Sequence, residues 1–294
     1  MKKHLSYFLI IASGVCWGGI GVFNRLLAGA GVGTGNRVFV RNFFSLALLT
    51  AVFALFRRDV FRVKRRDLPI FMGSGLLSIL TLSWVYLNCQ MECSLAVAAT
   101  VLYLAPSMVV VMGALLWRSP VTRRKVAALI LALAGCALAS GVVGGELTGT
   151  PRGLLLGVAS AFCYATYTVF AHYGMARCDA YTMIYWTFVF AGLGSLLFLD
   201  RDALVPALVT ARGAAGAAGL VLVATVLPYL LYTKGLEGVE GGTASILASV
   251  EPVAAALGGV VLFRERLSVW VALGVGCVLG AVALLAGEET HGKA

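Results

Sequence analysis

"SILASVEPVAAALGGVVLF", Ser245 to Phe263, is nineteen residues long and carries one charge, Glu251, beside one proline, Pro252. Every other residue in it is small or apolar. A helix of about twenty such residues spans the hydrocarbon core of a bilayer. A charged carboxylate at that depth costs about 2.5 kcal/mol or more, so it must face the protein interior, be paired or be protonated. Counted from the turn near Gly241, Glu251 lies about 15 Å along the helix, close to mid-membrane. Proline removes a backbone donor and can leave a carbonyl free one turn earlier. Irregular backbone at membrane depth is tolerated where it lines a cavity. The stretch therefore reads as a cavity wall inside a membrane protein.

The rest of the chain agrees. Of 294 residues, 60% are hydrophobic and 12% charged, about half the charge fraction of a soluble domain. Apolar runs of bilayer length recur at 5–28, 37–56, 69–90, 95–117, 124–143, 153–173, 180–199, 213–234, 241–263 and 268–286. The expectation is an all-α polytopic membrane protein of ten transmembrane helices. The alternating ten-residue segments of a β-barrel are missing from the pattern. "MKKH" looks like the basic start of a signal peptide, but the apolar run after it is too long for one, so it is read as a helix.

The net charge of +10 has a topological reading. With the N-terminus inside, fourteen Lys and Arg fall in inner segments and six in outer ones, Arg37 among the six. Inner loops carry the basic excess in membrane proteins, so both termini are expected on the cytoplasmic side of the cell membrane. The runs "RRDVFRVKRRD" and "RSPVTRRK" carry most of that signal. Nucleic acid is not an expected partner; the lipid bilayer is. The seven cysteines form no CxxC or Cys/His cluster, and His4, His172 and His291 are far apart. No metal or other cofactor is expected. There is no GxxxxGK[ST] for a nucleotide, and no GxSxG or grouped acid–base residues for an enzyme.

The two halves resemble each other. "ASGVCWGGIGVF" from Ala12 lies over "ASAFCYATYTVF" from Ala159, at an offset of 147. "VYLNCQMECSLAVAATVLYLAPSMVVVMGALLWR" lies over "LYTKGLEGVEGGTASILASVEPVAAALGGVVLFR" at 146, matching Tyr86 with Tyr232 and Pro106 with Pro252. Five helices per half is an odd number, so the second half must lie inverted relative to the first. Inverted repeats are a plan of secondary transporters, with sites near the midplane between repeats. The expected domains are 5–143 and 153–286, followed by a short cytoplasmic tail, 287–294.

On these residues the chain resembles the drug/metabolite transporter superfamily, in its EamA branch. "VEPVAAALGGVVLFRERLS", Val250 to Ser268, carries the motif, and Arg41 in "RVFVRNFF" matches the arginine of the second helix. The first copy departs, with Ser119 and Pro120 where the second has Glu265 and Arg266. The resemblance implies two five-helix inverted repeats around a central cavity. It also implies gradient-driven export or import of small metabolites, amino acids among them.

The candidate cavity and coupling residues are Glu251, Lys234, Pro252, Trp17, Tyr164, Arg41, Trp84, Tyr86, Asn88 and Tyr232. Lys234 ends the helix before that of Glu251 and is the expected charge partner. Asn88 and Ala105 stand at the matching positions of the first half, so the pair occurs once, and that asymmetry points to function. Against this, a lysine near a span end can reach out to the headgroups, and Arg41 is equally a structural tether. The aromatic residues suit an amphipathic or aromatic solute, although those near span ends also suit an interface belt. The glycines Gly14, Gly18, Gly258, Gly259, Gly276 and Gly280 suit close helix packing. The expected function is a secondary exporter of small organic metabolites, as monomer or homodimer, in which Glu251 carries a proton or binds a cationic group and Lys234 sets its charge. An importer, channel or receptor of the same fold stays open.

Overall fold

The computed structural model describes residues 3–93, 95–139, 149–251, 253–255, 257–258 and 269–291. Among them there is no strand, and one isolated bridge joins Cys93 to Gly149. In chain order the helices are α1 (His4–Gly29), α2 (Thr34–Phe56), α3 (Arg65–Glu92), α4 (Leu95–Leu102), α5 (Ala105–Trp117), α6 (Arg123–Ala139), α7 (Pro151–Met175), α8 (Ala180–Phe198), α9 (Arg201–Val209), α10 (Ala211–Gly235), α11 (Gly241–Ala248) and α12 (Val269–His291).

Among the described residues, seven helical stretches are long and apolar enough to cross a membrane. The expected count of ten is thus met in part. The fifth expected span is the shorter α6, the tenth lies within α12, and the ninth runs past Gly258 outside the described residues. The helix α9 is an addition: the sequence reading left 200–212 as a loop. Asp200 and Thr210 cap α9 and α10, each side-chain oxygen accepting from the backbone N–H three residues on, which is how an N-cap satisfies an orphan donor.

Packing repeats between the halves. α1 lies along α10, and α7 lies along α3; α1 touches α11, and α7 touches α4. α2 meets α8, and α6 meets α12. Shifting every helix by half the chain maps this set of pairings onto itself. The breaks repeat too. α4 gives way to α5 through a turn at Tyr103 and Leu104, and α11 ends in a turn at Ser249 and Val250, the same places at the offset of 146. In both, a backbone N–H reaches only three residues back: Leu104 to Val101 and Ser249 to Ile246. Both turns lie just before the prolines Pro106 and Pro252, which cannot donate into the preceding turn. Pro252 itself lies outside the described residues.

Three spans also widen into π-helical turns: Val40–Phe44 in α2, Gly73–Leu80 in α3 and Leu222–Val226 in α10. Such turns leave carbonyls poorly matched and often mark functional sites. Hydroxyls nearby take up carbonyls. Thr225 donates to Leu220 at 2.7 Å, Thr81 to Leu76 at 2.8 Å and Ser45 to Arg41 at 2.5 Å. Other hydroxyls link the halves, Ser74 with Thr187 and Ser78 with Thr166, each at 2.9 Å.

Small residues set the closest approaches. A Cβ on Gly18 would stand 2.8 Å from the Glu251 carbonyl oxygen, and one on Gly14 would stand 2.7 Å from that of Ala248. These two glycines let α1 touch the broken helix. The same role fails for Gly258 and Gly276, where a Cβ would meet no described atom. Gly259 lies outside the described residues. Gly135, which the sequence reading passed over, brings α6 against α12, where a Cβ would stand 2.8 Å from the Gly274 carbonyl.

Candidate functional site

A cavity of about 470 Å³ opens between the two halves, within the size range of small-molecule sites. Its lining runs from Ala28, Arg37 and Met91, near helix ends, to Trp17 and Tyr164, about half-way along their helices, and to Glu251, just past the turn that ends α11. Glu251 is the acid of the described lining, and three arginines share it, Arg25, Arg37 and Arg41. α2 supplies two of these, one helical turn apart, and Arg41 stands inside the π turn of that helix.

Glu251 sits at a convergence of helices. Arg41 of α2, Tyr86 of α3, Tyr103 between α4 and α5, Cys136 of α6, Tyr164 of α7 and Tyr229 of α10 all lie within electrostatic reach of its carboxylate. Arg41 is the cation among them, and its guanidinium also reaches the Tyr229 hydroxyl. The Arg37 guanidinium donates to Thr34 Oγ1 at 3.1 Å. The Nε atoms of both Arg37 and Arg41 are buried and have no hydrogen-bond partner among the described residues.

The floor is aromatic. The Trp17 ring lies 5.3 Å from Tyr229, 5.4 Å from Tyr232 and 6.1 Å from Tyr164, in edge or tilted geometries. Below them Tyr167 bonds Thr233 at 2.5 Å and Thr168 bonds Tyr232 at 3.0 Å. These bonds tie α7 to α10 under the cavity.

Beyond the floor, at the end that carries the basic loops, three ion pairs link the halves. Arg57 donates to Asp179 at 2.6 Å and to Asp59 at 2.7 Å. Arg177 donates to Asp67 at 2.8 Å, and Lys125 to Glu240 at 2.8 Å. The Lys125 side chain is only 5% exposed and also donates to the Pro120 carbonyl. Trp117 stacks on His172 beside them, with centroids 4.3 Å apart. At the far end Glu92 meets Arg152 at 3.5 Å and accepts from Thr150 at 2.8 Å, and the Asn36 amide bonds the Asp200 backbone at 2.9 and 2.8 Å.

Comparison with protein families gives a match to the EamA-like transporter family twice, over residues 4–141 and 151–287. The chain belongs to the EamA-like transporter family. It is thus a multi-pass membrane protein of a family of transporters for small molecules. No curated protein matches the chain. A solved structure described as "Crystal structure of protein" aligns over 97% of this chain and 98% of its own, with a TM-score of 0.78 and 18% identity. At that identity the likeness shows the shared fold alone.

The EamA fold sorts the residues singled out from sequence. Glu251, Arg41, Trp17, Tyr164 and Tyr86 come together around the cavity. Lys234 does not, and this corrects the expected charge pair. Lys234 binds Glu237 at 2.7 Å, three residues along its own chain, and lies over the Tyr181 ring at 5.5 Å. Arg41 takes the place assigned to it. Tyr232 is buried beneath Trp17 rather than lining the space. Trp84 is 40% exposed and stacks on Phe198 on the outside of the bundle. The Asn88 amide donates to the Trp84 carbonyl at 2.8 Å, one turn back on its own helix, and Asn88 is not part of the cavity wall. The sequence reading missed Arg37 by counting it with the outer segments. The spacing held the signal: Arg37 and Arg41 are four apart, on one face of a helix.

Proposed function

We propose that this protein is a secondary transporter that exports a small organic metabolite by alternating access of its two repeats. The supporting observation is the cavity: it reaches mid-helix from one end and is shut at the other by the Arg57, Arg177 and Lys125 ion pairs. The basic loops, by the positive-inside rule, assign the shut end to the cytoplasm. The cavity then opens outward, the state from which an exporter releases its cargo. Rocking of one repeat against the other would break the inner ion pairs and close the Trp17 side.

Glu251 is the coupling residue in this reading. A lone intramembrane acid in a cavity is a site for a proton, and Arg41 sets its charge. The groups facing it are Arg41, the tyrosines Tyr86, Tyr103, Tyr164 and Tyr229, and Cys136.

The test is a mass-spectrometric profile of the medium around cells expressing the wild type or Glu251→Gln at matched levels. A few compounds should rise with the wild type alone. An equal rise with both proteins removes Glu251 from the mechanism, and depletion in place of a rise reverses the direction. Counterflow in vesicles of purified protein separates this carrier from a channel.

A further inference from the structure

We propose that the cavity is an anion site, and that its substrate carries a carboxylate on a flat apolar body, held by Arg37 and Arg41. This rests on the transporter reading above and names the chemical class of its cargo. The first argument is charge. Arg37 and Arg41 share the described lining with one carboxylate, Glu251. Glu251 answers at most one of them, and Arg41 is the one within its reach. A cationic or neutral solute would leave positive charge uncompensated in a low-dielectric space, where unbalanced charge is costly. An anion completes the balance.

The second argument is geometry. A guanidinium presents flat two-donor edges that match the two oxygens of a carboxylate. Thr34 takes one N–H of Arg37, and Tyr229 lies against Arg41. The Nε of each arginine has no partner among the described residues, so each guanidinium keeps spare donors. Arg37 stands toward the mouth and Arg41 one turn deeper, so the pair forms a two-step ladder leading to Glu251.

The third argument is the floor. Trp17, Tyr164 and Tyr229 present ring faces and edges below the arginines. Aromatic walls take flat apolar bodies by offset or edge contact. The arginines thus choose the head of the substrate and the rings its body. Glu251 is the internal anion that stands near Arg41 until the substrate carboxylate arrives.

The experiment uses the full chain purified in detergent and four probes with one ring and one chain length: 3-phenylpropanoate, its amide, 3-phenylpropylamine and 2-phenylethyl phosphate. Binding is read from the shift of the thermal unfolding midpoint over a concentration series. The expected result is stabilisation by the propanoate, with the amide and the amine at least tenfold weaker. Arg37→Gln should weaken the propanoate at least tenfold. Arg37→Lys, which keeps the charge and loses the fork, should fall between, and it stands in should Arg37→Gln fail to fold. Equal or tighter binding of the amide or amine overturns the proposal, as does no binding by any probe or an unchanged Kd in both variants. A tenfold preference for the phosphate overturns the carboxylate assignment. Counterflow of the same probes in vesicles keeps the two readings apart. Counterflow without charge preference overturns the anion site alone, and anion binding without counterflow overturns the carrier reading alone.

Discussion

Glu251 and Arg41 meet in one cavity, each at a place where the backbone departs from α-geometry. Arg41 stands in a π turn, and Glu251 follows the turn at Ser249 and Val250. A proton on Glu251 changes what Arg41 faces, so the two must act together. Glu251→Gln is expected to hold the site in its neutral form. Transport by vesicles should then lose its dependence on pH, while probe binding persists. A variant whose pH profile matches the wild type would make Glu251 structural. Gly18 belongs to the same spot. Its missing side chain lets α1 reach the Glu251 carbonyl. Gly18→Ala should therefore force the helices apart and cost about 1–3 kcal/mol, as overpacking does. That would appear as a lower unfolding midpoint in detergent, and an unchanged midpoint would show that the contact is loose.

At the scale of the element, the irregular turns are stabilised by neighbouring hydroxyls. Thr225 binds the carbonyl five residues back, across the π turn of α10. Thr225→Val keeps the shape and removes that donor, leaving a buried carbonyl short of a partner. The expected loss is about 1–3 kcal/mol, read as a lower unfolding midpoint, and no loss would mean that the wide turn satisfies itself. Much of this architecture was legible in the chain. Apolar length marked the helices, the offset of 146 marked the repeat, and Glu251 beside Pro252 marked the break. Which way a residue points was not legible. Hydropathy gives depth along a helix, but a helix that is apolar all round has no polar face to fix its rotation. Trp84 and Tyr86 are two residues apart at one depth, yet Trp84 faces outward and Tyr86 faces the cavity. Lys234 was misplaced for a related reason. Its acid lies three residues on, at Glu237, and a local pair satisfies a lysine more easily than a reach to mid-membrane. The wall residue Arg37 was counted with the outer segments because α2 starts three residues earlier, at Thr34, than its apolar run.

At the scale of the molecule, the two halves exchange contacts in matched pairs, yet their ends are unequal. The basic end is clamped and the other is open. In the proposed alternating-access cycle this clamp opens, so its strength should set the balance of states. Asp59 lies below the ordinary carboxylate range because Arg57 hydrogen-bonds it. Burial pushes the Asp179 carboxyl up, but bonds from Thr182 and Arg57 outweigh it, and it too lies low. A depressed carboxylate stabilises the folded contact above its unfolded value, about pH 4, and loses that contribution as pH falls through the depressed one. The clamp should therefore stay charged across the physiological range and release only in stronger acid. Cys178, beside Asp179, reports on it without added labels. Burial first, and then the charges of Asp179 and Asp67, push its thiol up to about 12, and the thiolate is the reactive form. In the wild type at pH 7, Cys178 should react slowly with a maleimide, located by mass spectrometry of the peptide that holds it. Arg57→Gln combined with Glu240→Gln removes one partner from each of two ion pairs, and the opened end should label Cys178 several-fold faster. In the same samples the buried Cys136, packed away from the clamp, controls for general unfolding. Faster labelling of Cys178 alone means that the ion pairs hold the inner gate. Equal rates in wild type and variant would mean that the hydrogen bonds under Trp17, Tyr167 to Thr233 and Thr168 to Tyr232, keep that end shut by themselves.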